Sequence, residues 1–226
     1  MTRASLASAA LLAAAAATCH AELSYSADFQ SGAGPEWSNR LVETAPLGGQ
    51  RILGQFSNET VLLTLDSVRA GDLVNLSFDF CAIRTWDGNA GGGGPGPDTF
   101  SVAVHGGPEL LSHTFAVGDP ASAHRMTYST KPGETESLSR TGATSNDSLG
   151  FLWRGVVLDA TWRMSFSFAA PEDGLVIKFA ASGLQPIEDE SWALDNVELS
   201  STTIPAPGPV VLVGAGLGLL AQRRRR

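Results

Sequence analysis

The chain has 226 residues, 43% hydrophobic and 17% charged, with 23 acidic residues against 15 basic ones and a formal net charge of −8. Five basic residues, Arg3 and the four arginines at 223–226, flank a central region that carries a net charge of −13 and is about one domain long. Such a surface repels nucleic acid and anionic membranes, suits divalent cations, and excludes nucleic-acid binding as a function class.

At the N-terminus, Arg3 precedes an Ala-rich apolar run over residues 6–17, and Cys19-His20-Ala21 offers small residues at the −3 and −1 positions of a cleavage site. This predicts a signal peptide over residues 1–21 and a mature chain starting at Glu22. The residues before Cys19 lack the leucine of a lipoprotein signal. With Cys19 removed, Cys81 has no cysteine partner, so stability must come from the core, with a metal as a candidate aid. Cys81 itself lies in an apolar alternating stretch and reads as a small buried hydrophobe.

Residues 22–203 read as strands. A first strand ends near Asp28 and Phe29, and a second covers residues 61–65. Val74, Leu76, Phe78, Phe80 and Ala82 alternate with Asn75, Ser77, Asp79, Cys81 and Ile83, a period of two. Residues 100–104, 162–168 and 175–179 repeat the pattern, and 197–199 close it. Turn residues punctuate these runs at Gly71-Asp72, Gly106-Gly107-Pro108, Pro132-Gly133 and Pro171 to Gly174. Two stretches are expected as loops: residues 87–97, with a glycine run, and residues 130–148, placed on the surface. No segment has sustained helical periodicity. Many short strands without intervening helices predict an all-β fold, an antiparallel β-sandwich.

Three groups of residues carry candidate chemistry. In the first, Asp87, Asn89 and Asp98 bracket the Gly-rich loop, and oxygen donors so spaced suit a hard cation such as Ca²⁺. The same residues also suit a tight Asp-Gly turn with Asp98 capping the loop. The second is Asp195, expected to share a face with Ala193, Val197 and Leu199. If that face is the core, the carboxylate needs a pair, hydrogen bonds or metal, and Asp28 is its candidate co-ligand. The third is the set of five tryptophans, of which Trp86, beside the polar loop, is the candidate exposed platform for stacking on a sugar ring; Trp162 reads as core. No catalytic residue is assigned: Glu188, Asp189 and Glu190 are consecutive in an expected loop and do not project on one face.

At the C-terminus, Pro205 and Pro207 are followed by an apolar run over residues 209–221 and then by Arg223, Arg224, Arg225 and Arg226. The run falls short of the roughly 20 residues of a membrane span, and the arginines favour the cytoplasmic side. This three-part tail resembles the PEP-CTERM sorting signal, with Ala206 where the family usually has glutamate. The resemblance implies a sorting signal over residues 204–226 that contains a short C-terminal hydrophobic helix. It further implies recognition by an exosortase-type processing enzyme, transient anchoring in the inner membrane, and delivery to the cell surface or beyond. A simple retained anchor is the alternative.

The motifs Thr85-Trp86-Asp87-Gly88-Asn89, Gly96-Pro97-Asp98-Thr99-Phe100 and Asp189-Glu190-Ser191-Trp192 with Leu194-Asp195-Asn196-Val197 resemble a recurring extracellular module of such proteins, similar to concanavalin-like or jelly-roll carbohydrate-binding sandwiches. That resemblance implies a jelly-roll fold, binding of extracellular polysaccharide, and a structural Ca²⁺ held by acidic residues of the first and last strands. The expectation is an exported, non-catalytic β-sandwich that binds glycan or contributes to the extracellular matrix. The alternatives are a secreted glycoside-active enzyme on the same fold and a purely structural matrix protein.

Overall fold

The computed structural model describes residues 23–89, 95–118 and 124–203. The predicted signal peptide and the sorting tail lie outside the described residues. Among the described residues there is no helix, and none long and apolar enough to cross a membrane.

The strands are β1 (Leu23–Ala27), β2 (Val42–Thr44), β3 (Arg51–Phe56), β4 (Thr60–Leu65), β5 (Leu73–Arg84), β6 (Thr99–Val104) and β7 (Glu109–Thr114). Five short pieces follow: β8 (Arg125–Met126), β9 (Ser137–Leu138), β10 (Ser145–Asn146), β11 (Leu152–Trp153) and β12 (Val156–Val157). The last three are long: β13 (Asp159–Ala169), β14 (Leu175–Ser182) and β15 (Glu190–Thr202). One sheet runs β10-β13-β5-β15-β3-β2, with β1 also paired to β15, and the other runs β4-β14-β6-β7. All pairings are antiparallel. From β3 to β6 the chain changes sheet at each connection, and it does so again from β13 to β15, the winding of a jelly-roll sandwich.

Alternation in the sequence explains the layers. Val74, Leu76, Phe78 and Phe80 of β5 point into the core between the sheets, where Phe80 stacks on Phe100 of β6 with ring centroids 3.9 Å apart, and Phe78 meets Phe179 of β14 edge-on at 5.2 Å. The opposite face of β5 is divided. Cys81 and Ile83 are buried with Ala45, Ile52, Leu149, Phe151 and Ala193 in a second, smaller cluster. Asn75 and Ser77 lie further along the same face, outside that cluster, Asn75 exposed and Ser77 half-buried.

β15 departs from the expected alternation. Asp195 pairs with Asp79, but Glu198 pairs with Ser77, so Asn196 and Val197 together oppose the single residue Phe78. This is a β-bulge, with Asn196 at φ 47°. Before it, Trp192 and Leu194 face the main core; after it, Val197 and Leu199 do. Ala193 and Asp195 therefore lie on the other face from Val197 and Leu199, which corrects the single face expected for all four. The first and last strands are neighbours, with Ala27 opposite Val197. The stretch 130–148 is not wholly a surface loop either, since it contributes β9 and β10 and buries Ser137 and Ser139.

Candidate functional site

Where β5 ends, Arg84 takes φ 70° and the chain turns. Trp86 folds back edge-on against Phe80, and its indole N–H donates to the carbonyl of Ser191 in β15 at 2.8 Å. Trp86 is fully buried. It is therefore an anchor between β5 and β15, not the exposed stacking platform expected of it. Trp162 is core as expected. Trp153 alone of the five tryptophans keeps intermediate exposure, and the Arg154 guanidinium sits 4.2 Å over its ring.

The pinned Trp86 sets Asp87 beside Asp98, which precedes β6, and Glu190, which opens β15. One carboxylate oxygen from each of the three lies within 4.8 Å of the others. Asp98 and Glu190 are fully buried, and Asp87 is partly open to solvent. The Gln185 amide donates to Glu190 Oε1 at 3.0 Å and to Asp87 Oδ2 at 3.4 Å, while the Gln185 backbone N–H donates to Glu190 Oε2 at 2.6 Å. His124 Nδ1 stands 3.5 Å from Asp87 Oδ1. Asp98 Oδ2 accepts the backbone N–H of Asp87, so Asp98 does cap the loop. Its other oxygen, Oδ1, is buried and accepts no hydrogen bond from the described residues. Burial, followed by the charge of Glu190, raises the Asp98 carboxyl to about 8. Burial likewise raises Glu190 against the Gln185 hydrogen bonds, and raises Asp87 against His124. Such a donor set can hold a metal ion, and oxygen-only carboxylates favour a hard one.

Two glycines explain the surrounding motif. Gly88 has φ 74°, and a Cβ there would lie 2.1 Å from the Arg125 carbonyl oxygen. Gly183 has φ 88°, and a Cβ there would lie 2.0 Å from the Pro97 carbonyl oxygen. Both backbones must pass too close for any side chain. Asp87 and Asp98 are thus brought together as expected, while Asn89 is turned away. Its Oδ1 accepts the Thr114 hydroxyl, and its Nδ2 donates to Glu136 Oε1 at 2.9 Å. Asp28 and Asp195 do not belong to any group of three close ligands among the described residues. Asp28 is exposed, and its Oδ1 accepts the Gln30 N–H at 3.1 Å. Asp195 is buried, and its Oδ1 accepts the Asn196 N–H at 2.8 Å. Glu190 and Gln185 are the additions that the structure makes. Glu190 is not in a loop: it has the same parity as Trp192 and Leu194, so β15 carries it inward.

A second feature lies at the other end of the larger sheet. Cross-strand register lines up Ser24, Ser200, Asn75 and Ser167 in one row over β1, β15, β5 and β13, and Ser26, Glu198, Ser77 and Ser165 in the next. Their short side chains floor a groove of about 560 Å³. Three inter-strand steps make each row about 14 Å long, and two residues along a strand separate the rows by about 7 Å. Arg163 closes one end, donating to Glu198 Oε2 at 2.7 Å, to Ser77 Oγ at 2.8 Å and to the Asn196 carbonyl at 2.8 Å.

No protein-family model matches the sequence, and no curated protein matches it. Among solved structures, the chain is similar to the K3 cleaved adhesin domain of Lys-gingipain from Porphyromonas gingivalis (16% identity, 80% of this chain and 99% of that one, TM-score 0.39). It is also similar to the N-terminal CBM22-1–CBM22-2 tandem domain of Xyn10C from Paenibacillus barcinonensis (14% identity, 87% and 49%, TM-score 0.40). A family 35 carbohydrate binding module from Clostridium thermocellum follows (11% identity, 80% and 98%, TM-score 0.34). None of these likenesses assigns the chain a family or a ligand.

Proposed function

We propose that this is an exported, non-catalytic β-sandwich that binds extracellular polysaccharide along the hydroxyl-lined groove of its larger sheet and carries a structural Ca²⁺. The groove is the observation that carries the reading. Six serines and Asn75 offer donors and acceptors in two rows, and a sugar chain presents the complementary hydroxyls. Arg163 is already engaged by Glu198 and Asp79. With a net charge of −13 around it, the groove favours neutral glycans over anionic ones. The N-terminal signal, the Pro205 and Pro207 motif and the terminal arginines support export and sorting by an exosortase-type system.

The glycoside-active alternative needs two carboxyls that reach a sugar from opposite sides. Asp98 and Glu190 are close enough to each other but fully buried, and the groove itself offers one carboxylate, Glu198. The test is affinity electrophoresis of the full chain through gels containing neutral or anionic soluble polysaccharides. Neutral polysaccharide should retard it, and the triple variant Ser24→Gln, Ser26→Gln, Ser167→Gln should fill the groove and remove the retardation while leaving Tm unchanged. Migration unaffected by every polysaccharide would favour the purely structural matrix role. Retardation that survives in the variant would place binding elsewhere.

A further inference from the structure

We infer that Asp87, Asp98 and Glu190 are the ligands of one divalent oxygen-seeking cation, Ca²⁺ by class, which clasps the start of the last strand to both ends of the Gly-rich loop. This deepens the calcium part of the reading above and is independent of the groove. Two observations carry it. Three carboxylates converge within 4.8 Å, two of them fully buried. In addition, Asp98, fully buried and one of the three, has in Oδ1 the buried side-chain atom with no hydrogen-bond partner among the described residues. Burying like charges together is costly unless something positive or a proton sits between them, and an acceptor without a donor adds to the cost. A divalent ion relieves both.

The remaining donors fit. All three side chains are carboxylates, the ligand type of Ca²⁺ and Mg²⁺ rather than of thiolate-seeking metals. Gln185 already touches two of the three, and rotating its amide by half a turn would present its oxygen to the ion in place of its N–H₂. Asp87, the partly exposed member, supplies the entry side, with His124 beside it as the neighbour that could replace an oxygen ligand if the ion were Zn²⁺. Pairing this way ties residue 87, three positions after β5, residue 98, just before β6, and residue 190 at the start of β15, so one ion would link segments that lead into both sheets of the sandwich.

The experiment is calorimetric titration of the chelator-treated full chain with CaCl₂, MgCl₂ and ZnCl₂ separately, alongside thermal melts with and without each salt. One Ca²⁺ per chain and a higher Tm are expected. A ligand present at a hundredfold excess over Kd stabilises by about 2.7 kcal/mol. Asp98→Asn and Glu190→Gln should each weaken Ca²⁺ binding at least tenfold. In chelator, Asp98→Asn should melt no lower than the native chain, showing that the fold survives the change. Asp195→Asn should bind Ca²⁺ as the native chain does. A calcium response that persists in Asp98→Asn and Glu190→Gln but disappears in Asp195→Asn would overturn this site and leave the calcium reading standing. No heat and no Tm shift with any of the three metals would end both, and would leave the three carboxyls to share protons. Tighter binding of Zn²⁺ than of Ca²⁺ would overturn the assignment of class.

Discussion

Asp195 and Asp98 are both buried aspartates, and what separates them is the fate of each oxygen. Asp195 Oδ1 accepts the Asn196 N–H and Oδ2 lies 3.5 Å from the Gln50 amide, whereas Asp98 Oδ1 has no hydrogen-bond partner among the described residues. The sequence shows an Asp on an alternating strand in the first case, but not which face it takes, because the bulge at Asn196 reverses the parity. It shows a loop carboxylate in the second, but not the Glu190 that meets it 92 positions later. Asp195 has a pH signature of its own. Burial, with the charges of Asp79 and Asp28, raises its carboxyl from the ordinary 3.8 to about 6, against the pull of the Asn196 N–H and Arg163. The folded chain thus holds this proton more tightly than the unfolded chain. The resulting stabilisation is fully present below pH 3.8 and is lost as pH rises through about 6. Asp195→Asn removes the titration. Urea unfolding should find the variant equal to the native chain near pH 4 and more stable than it at pH 7.5, by about 1–3 kcal/mol. A native chain more stable than the variant at pH 7.5 would mean that the Asn196 N–H outweighs burial.

At the scale of elements, β5 and β13 are legible because their alternation is sustained, whereas the longest strand, β15, is read only over 197–199 because the bulge at Asn196 breaks its period. The short strands are not legible, because they are held by something other than apolar periodicity. The clearest case is the segment after β10. Asp159, fully buried at the head of β13, accepts backbone N–H groups from Ser148 at 2.8 Å, Leu149 and Gly150 at 3.0 Å and Phe151 at 3.4 Å. Four donors with no strand partner are gathered on one carboxylate, which lets Leu149 and Phe151 close the second apolar cluster over Cys81 and Ile83. Nothing in the local sequence announces this, since the ladder is a single side chain ten residues away. Asp159→Ala should therefore cost far more than an ordinary surface change. Hydrogen bonds to a charged group contribute about 1.5–3 kcal/mol each, and the donors freed at Leu149 and Phe151 stay buried, so a loss of at least 3 kcal/mol is expected in urea unfolding. Hydrogen exchange should localise the loss to residues 148–151. A loss under about 1 kcal/mol would show that water replaces the carboxylate there.

At the scale of the whole molecule, β15 is the spine on which every functional feature hangs. It begins at Glu190 in the carboxylate cluster, bulges at Asn196, and passes through Glu198 and Ser200 in the groove. It ends one residue before the last described position, with Ser201 opposite Leu23 of the first strand. Both ends of the domain therefore leave from the groove end of the sheet, and the predicted signal peptide and sorting tail attach there. The charge pattern matches this division of labour: 23 acidic residues are confined to the body between Glu22 and Glu198, and four of the 15 basic residues form the last four positions. A block of arginines directly after an apolar run favours the cytoplasmic side, whereas acidic residues have little influence on orientation. On the sorting proposed above, export should stall at the apolar run over residues 209–221 only while Arg223, Arg224, Arg225 and Arg226 remain charged, giving a processing enzyme time to act. Replacing all four by Gln should remove the stall. Cell fractionation followed by mass spectrometry should then find the chain released without the cleavage near Pro205 and Pro207 that the proposed sorting predicts for the native chain. Normal cleavage and surface display of the four-fold variant would defeat the sorting reading. Native chain that stays at its full length in the inner membrane would establish a retained anchor instead.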